Sequence, residues 1–237
     1  MIAGVQKCGT SALDAYLRLH DRIEMARIKE THFFDDETSI DWRDPDYRTL
    51  NSYFAEASSL KGEATPITFY WTPAHYRILR YNPDMRFILL FRDPVARAWS
   101  HWKMAAAAGR DPLSFSEAIR AGRTRVLDDG GPAGLSRWLS YVERGYYARQ
   151  LREFMKLFPI ENILMLKQDD LIHEPAETLD RVAGFLGVPP FGAVPAMTVH
   201  ESSWLQSETM RDEDQAYLQS LYQEDQADFT AMTGMSF

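Results

Sequence analysis

Apolar positions along the chain alternate between short unbroken runs and stretches at helical spacing. Phe87-Ile88-Leu89-Leu90-Phe91 is continuous, the mark of a strand buried on both faces. Residues 163–166 form a second apolar run, residues 1–5 a third that Gly4 interrupts, and residues 62–65 a weaker one. Leu13, Tyr16 and Leu17 predict a helix over 11–20, and Tyr147, Leu151, Phe154, Met155 and Phe158 predict one over 144–158 that Pro159 ends. Thr72-Pro73 reads as a helix start with Thr as cap, and Pro94 opens a helix to about Ala107. Ser114-Phe115-Ser116-Glu117 is a capping box. A helix over 175–186 stops at Gly187, and a last one covers 212–232. With neither repeats nor low-complexity tracts, this alternation predicts one α/β domain over 1–237. Its central sheet is expected to be mostly parallel and flanked by helices, with ligands at the carboxyl ends of the strands.

The first strand leads into Gly4-Val5-Gln6-Lys7-Cys8-Gly9-Thr10-Ser11. Gly4 and Gly9 stand five apart, as in the phosphate loop Gly-x-x-x-x-Gly-Lys-[Ser/Thr], but Thr10 takes the usual lysine place and the lysine has moved to Lys7. Peptide N–H groups at a helix start have no intrahelical partner and attract phosphate. Gly9, Thr10 and Ser11 are therefore candidates to hold one, with Lys7 as a nearby charge. The rival reading is an ordinary capped helix start.

Composition narrows the field. The 237 residues carry 26 basic and 34 acidic side chains, a net charge of −8, so a duplex or polyanion binder with a basic field is not expected. From His200 onward there are eight acidic residues and one basic one, read as a solvated helix face. No apolar run approaches the roughly 20 residues of a membrane span. No secretory signal is recognisable, although the first residues already lie inside the first expected strand. Cys8 is the sole cysteine, which favours a reducing, cytoplasmic setting.

Kinases on phosphate loops place an acidic residue at the end of an apolar strand to hold magnesium. Here the run ends in Arg92-Asp93-Pro94. Arginine forks onto phosphate and suits a second anion, although a surface salt bridge to Asp93 is the plain alternative. Ser100 follows two helical turns later. A nucleotide phosphorylated at both ends and bound without metal fits this pair of sites.

Four segments carry a specific resemblance: Gly-Val-Gln-Lys-Cys-Gly-Thr-Ser-Ala-Leu at 4–13, Lys-Glu-Thr-His-Phe-Phe-Asp at 29–35, Gly-Glu-Ala-Thr-Pro at 62–66 and Phe-Arg-Asp-Pro-Val-Ala-Arg-Ala-Trp-Ser at 91–100. Together the chain resembles the sulfotransferase family, and most closely the branch of the heparan sulfate sulfotransferases and related bacterial enzymes. The resemblance implies a fold with a phosphate-loop-like first turn, 3′-phosphoadenosine 5′-phosphosulfate (PAPS) as co-substrate and no metal. Lys7, Cys8, Gly9, Thr10 and Ser11 would hold the 5′-phosphosulfate, and Arg92 and Ser100 the 3′-phosphate. A sulfuryl group would pass in line to an acceptor oxygen or, less expected, nitrogen. Lys7 would stabilise the leaving phosphate and Glu30 would take the acceptor proton. His32 is the rival base, unless it is simply packed beside Phe33 and Phe34; Glu30 has its own plain alternative, a salt bridge to Lys29.

The chain also departs from that branch. Ala64 stands where a lysine commonly precedes the Thr/Ser-Pro pair, and residues 202–207 lack the basic segment expected before the final helix. An acceptor alcohol that is not polyanionic is therefore expected, and Trp42, Phe69, Tyr70, Trp71, Trp102, Trp138 and Trp204 are candidates to line its pocket or to fill the core. The rivals in other classes are a magnesium-dependent nucleotide kinase or NTPase of similar fold and a non-catalytic nucleotide-binding module.

Overall fold

A computed structural model describes residues 1–55, 60–128, 135–195 and 208–237. In chain order the elements are β1 (Ile2–Gly4), α1 (Thr10–Leu17), β2 (Ile23–Met25), α2 (Arg48–Asn51), β3 (Leu60–Gly62), α3 (Thr72–Tyr81), β4 (Phe87–Phe91), α4 (Pro94–Ala107), α5 (Phe115–Asp128), α6 (Leu135–Trp138), α7 (Tyr147–Met155), β5 (Ile163–Lys167), α8 (Gln168–His173), α9 (Pro175–Leu186) and α10 (Asp212–Thr233). Short 3-10 turns occur at Glu143–Gly145 and Ile160–Asn162. The chain divides into two compact units, Met1–Phe91 with Phe154–Val199, and Arg92–Glu153 with His200–Phe237.

In the first unit the strand order is β1-β4-β5, parallel throughout, with Gly4 opposite Leu89 and Phe91 opposite Lys167. β2 and β3 pair in parallel, and a bridge from Ile2 to Ala64 ties this pair to β1. The expected α/β fold with a parallel sheet is borne out. Every residue of β4 is buried, as a continuous apolar run requires. Phe87 meets Phe154 and Phe158 at 4.7 and 4.5 Å between ring centroids, and Phe69 meets Phe91 and Phe154 at 5.8 and 5.6 Å. Each such side chain contributes about 1.5–3 kcal/mol on burial. Phe69 also explains Gly4: a Cβ there would lie 2.7 Å from the Cβ of Phe69.

Two helix starts differ from the sequence expectation. Thr72 lies inside α3 rather than capping it, and the cap position is Trp71, without a side-chain hydrogen bond. The helix predicted from 144 begins only at Tyr147, because residues 143–145 form a tight turn. Gly145 in that turn has no room for a side chain, since a Cβ would fall 2.4 Å from the Tyr222 ring.

The second unit is helical. Val95, Ala98 and Trp102 of α4 pack with Phe115, Ala118 and Ile119 of α5, with Leu139, Tyr141 and Val142, and with Leu218 and Tyr222 of α10. Asp93 caps α4 by accepting from the Ala96 N–H at 2.8 Å, and Ser114 and Glu117 form the expected capping box before α5. Arg97 is fully buried and donates to the Tyr141 carbonyl. The acidic final helix is solvated only in part. Asp214 is buried against Ser116 and Arg120, and Asp225 is buried and accepts from the Ala148 and Arg149 N–H groups, both at 3.0 Å.

Gly4→Ala forces a methyl group onto the immovable base of Phe69. Overpacking of this kind costs about 1–3 kcal/mol. A melting temperature several degrees below wild type is expected, and an unchanged one would show that β1 and Phe69 separate freely.

Candidate active site

The first loop leaves the carboxyl end of β1. Its turn is closed by the Cys8 N–H donating to the Val5 carbonyl at 3.1 Å, and the Cys8 side chain is buried. Lys7 and Gly9 both take left-handed backbone, with φ of 72° and 89°. Gly9 needs no side chain there, and a Cβ would meet the Gln168 side chain at 3.3 Å. Gly9 occupies the cap position of α1, which has no side-chain cap and no acidic residue in its first turn. The first intrahelical bond runs from the Leu13 N–H to the Gly9 carbonyl at 3.1 Å. The N–H groups of Thr10, Ser11 and Ala12 thus precede the helical ladder and present the positive end of the helix dipole. This cradle fits a phosphate-like anion. Thr10 is buried and Ser11 exposed.

A second turn in the same unit holds Glu30 and His32, again with left-handed backbone, φ 60° and 52°. The Glu30 N–H donates to the Ala64 carbonyl at 2.9 Å, and Ala64 bridges to Ile2 of β1, so this turn and the first loop hang on one strand. Between them Thr31 donates through Oγ1 to Glu63 Oε2 at 3.2 Å, and Thr65 donates to the same oxygen at 2.7 Å. Burial pushes the Glu63 carboxyl up to about 7. Glu30 Oε1 receives Lys29 Nζ at 2.5 Å, while Oε2 lies 3.5 Å from His32 Nε2. The other ring nitrogen, Nδ1, is 2.9 Å from Oδ2 of the fully buried Asp35.

The charges in this cluster support one another. Partial burial alone would raise the Glu30 carboxyl, but hydrogen bonds from His32 and Lys29 and their charges outweigh it and hold it at about 2. Hydrogen bonds to Asp35 and then Glu30 raise His32 to about 9 against partial burial. At neutral pH the cluster therefore holds a carboxylate at Glu30 and an imidazolium at His32, with both ring nitrogens donating.

Arg92 and Ser100 belong to the second unit. Arg92 follows β4 directly and is half-buried, and the Tyr147 hydroxyl donates to its carbonyl at 3.1 Å. The Asp93 carboxylate serves as the α4 cap, accepting from Val95 and Ala96. Ser100 lies half-buried on α4.

Sequence reasoning singled out Glu30 and His32 but left Asp35, Glu63 and Gln168 without a role. Asp35 and Glu63 stand inside the quoted motifs, so the His-to-Asp spacing of three was the available signal for the first. Gln168 opens α8 at the end of β5, and nothing in its residue type announces its contact with Gly9. Of the aromatic candidates, Phe69 and Trp102 are core. Trp42 lies under the Arg77 guanidinium at 4.2 Å, and Trp71 donates to Glu37 Oε1 at 2.5 Å. Tyr70 is half-buried and Trp138 exposed. Trp204 and the 202–207 stretch lie outside the described residues.

The family model described as "Sulfotransferase domain" matches residues 1–229. The chain belongs to the sulfotransferase family. It is 34% identical over 191 residues to human heparan sulfate glucosamine 3-O-sulfotransferase 3B1, covering 79% of this chain and 45% of that one. It is 28% identical over 195 residues to mouse heparan sulfate glucosamine 3-O-sulfotransferase 5, covering 80% and 53%. The chain thus spans about half the length of the curated relatives it matches. Among solved structures, the sulfotransferase from Alicyclobacillus acidocaldarius superposes with a TM-score of 0.83 at 24% identity, over 100% of this chain and 95% of that one. Mouse sulfotransferase SULT7A1 complexed with PAP gives 0.50 at 11%, over 94% and 85%. These two likenesses show the fold.

The raised His32 value gives a direct test. Its contribution to stability is complete below the unfolded value of 6.5 and fades as pH rises through about 9. That of Glu30 is complete above 4.5 and fades as pH falls through about 2. The His32 ring protons should titrate near 9 in an NMR pH series, and closer to 6.5 in Asp35→Asn. A wild-type midpoint at 6.5 would rule out the triad as drawn.

Proposed function

We propose that this protein is a PAPS-dependent sulfotransferase that moves a sulfuryl group to an acceptor hydroxyl by in-line displacement, with residues 1–237 acting as one sulfotransferase domain. One observation carries the reading. Among the described residues, Lys7, Glu30 and His32 are the non-glycine residues with left-handed backbone, and they are the three to which the motifs give chemistry. Such backbone costs about 1–3 kcal/mol per residue and gathers where geometry serves a site.

In this reading the peptide groups of Cys8, Gly9, Thr10 and Ser11 hold the 5′-phosphosulfate, and Lys7 stabilises charge on the leaving phosphate. Arg92 and Ser100 hold the 3′-phosphate. Glu30 is the acceptor's base: at neutral pH it is already ionised, whereas His32 already carries its proton. The low proton affinity of Glu30 favours proton transfer late, when attack on sulfur has acidified the hydroxyl. His32, braced by Asp35, is then the residue that aims the carboxylate.

A neutral or modestly charged alcohol is the favoured acceptor. The human and mouse relatives named above are heparan sulfate sulfotransferases, and heparan sulfate is a polyanion. Here Ala64 is buried where that branch commonly carries a lysine, and Asp35-Asp36-Glu37 follow the catalytic turn. An anionic polymer gains no counter-charge from these side chains.

The test is transfer of labelled sulfate from PAPS to a panel of neutral alcohols and to heparan oligosaccharides, with product identified by mass. Lys7→Ala should lower turnover by about 10²–10³-fold. Glu30→Gln should lower it by about 10²–10⁴-fold while binding adenosine 3′,5′-bisphosphate as wild type does. Transfer by Lys7→Ala at the wild-type rate, or preference for the heparan oligosaccharides, would refute the corresponding part of the proposal.

A further inference from the structure

We propose that Tyr147 is the positioning residue for Arg92: its hydroxyl holds the Arg92 carbonyl and thereby sets where the guanidinium meets a 3′-phosphate. The inference rests on the reading of Arg92 given above and concerns the second unit alone. Tyr147 is fully buried, opens α7, and donates to the Arg92 carbonyl at 3.1 Å. The next residue, Asp93, is fixed twice. Its carboxylate caps α4, and its carbonyl accepts from the Arg97 N–H at 2.9 Å. Arg92 is therefore pinned on its α4 side by helix formation and at its own carbonyl by one phenol. A guanidinium sits at the end of a long flexible side chain, so a small rotation at its Cα moves it far. Bidentate phosphate binding tolerates little of that.

The phenol is itself held. Its ring meets those of Phe229 and Phe237 at 5.6 and 6.3 Å, and the Asp225 carboxylate accepts from the first N–H groups after it, those of Ala148 and Arg149. All three contacts come from α10 or the residues that follow it. The buried tyrosines of the neighbouring core differ in one respect. Tyr141 donates to Asp111 and Tyr222 to the Val142 carbonyl, neither of them a residue with an assigned ligand. Tyr147 instead reaches the backbone of a proposed phosphate-binding residue.

The experiment compares the affinity for adenosine 3′,5′-bisphosphate with that for adenosine 5′-monophosphate by calorimetry, in wild type, Arg92→Ala and Tyr147→Phe. The ratio of the two affinities isolates the 3′-phosphate. Arg92→Ala should lower the ratio at least tenfold. Losing one hydrogen bond should lower it about 2–10-fold in Tyr147→Phe, with monophosphate affinity within twofold of wild type. In turnover, that variant should raise the donor KM by the same factor and leave kcat at saturating donor unchanged, which a general loss of folding would not do. A ratio that falls in Arg92→Ala and stays put in Tyr147→Phe overturns the inference and leaves the Arg92 reading standing. A ratio unmoved by Arg92→Ala overturns both. If Tyr147→Phe does not fold, Asp225→Asn keeps the phenol but weakens the start of α7, and it should lower the ratio at least twofold; an unchanged ratio there also overturns the inference.

Discussion

A strand that is apolar at every position must have strands on both edges and cover on both faces, and β4 meets that demand with β1 and β5 in parallel beside it. Parallel pairing sends successive chain ends to the same edge of the sheet. The loop carrying Lys7 and Gly9 and the helix start carrying Gln168 therefore emerge together, and Gly9 and Gln168 come into contact. The turn holding Glu30 and His32 is attached to this edge indirectly, by the Glu30 bond to Ala64 and the bridge from Ala64 to Ile2. A single buried run thus places both the anion cradle and the acid–base cluster of the first unit.

The acid–base cluster is a chain of unequal partners. Asp35 is wholly buried and holds one face of the His32 ring, leaving the other to face Glu30. Lys29 reaches the second Glu30 oxygen. The carboxylate is thereby fixed in orientation by two cations, at the cost of some proton affinity. In the proposed reaction this compromise would favour an acceptor whose proton becomes acidic during attack over one that must be ionised beforehand.

Much of the fold was legible because its punctuation is local. Pro94, the Ser114–Glu117 box and Gly187 mark element ends through their own backbone chemistry, and the run 87–91 announces itself. β2 and β3 have three residues each, too few for a period to show, so β2 went unseen and β3 was placed two residues late. The site was legible as residue types but not as geometry. Nothing about lysine, glutamate or histidine calls for left-handed backbone, so the strain at Lys7, Glu30 and His32 is visible only once neighbouring segments impose it. The buried aspartates of α10 were misjudged for a related reason. Asp225 meets N–H groups 76 and 77 residues earlier, and no local pattern encodes a partner that distant.

That separation has a bearing on how the chain acquires its shape as it is made. Ala148 and Arg149 leave the ribosome long before Asp225 does, so α7 starts life without the carboxylate that ends its N-terminal frustration. The second unit cannot close its core until α10 has been made, because its two stretches, Arg92–Glu153 and His200–Phe237, are separated in the chain.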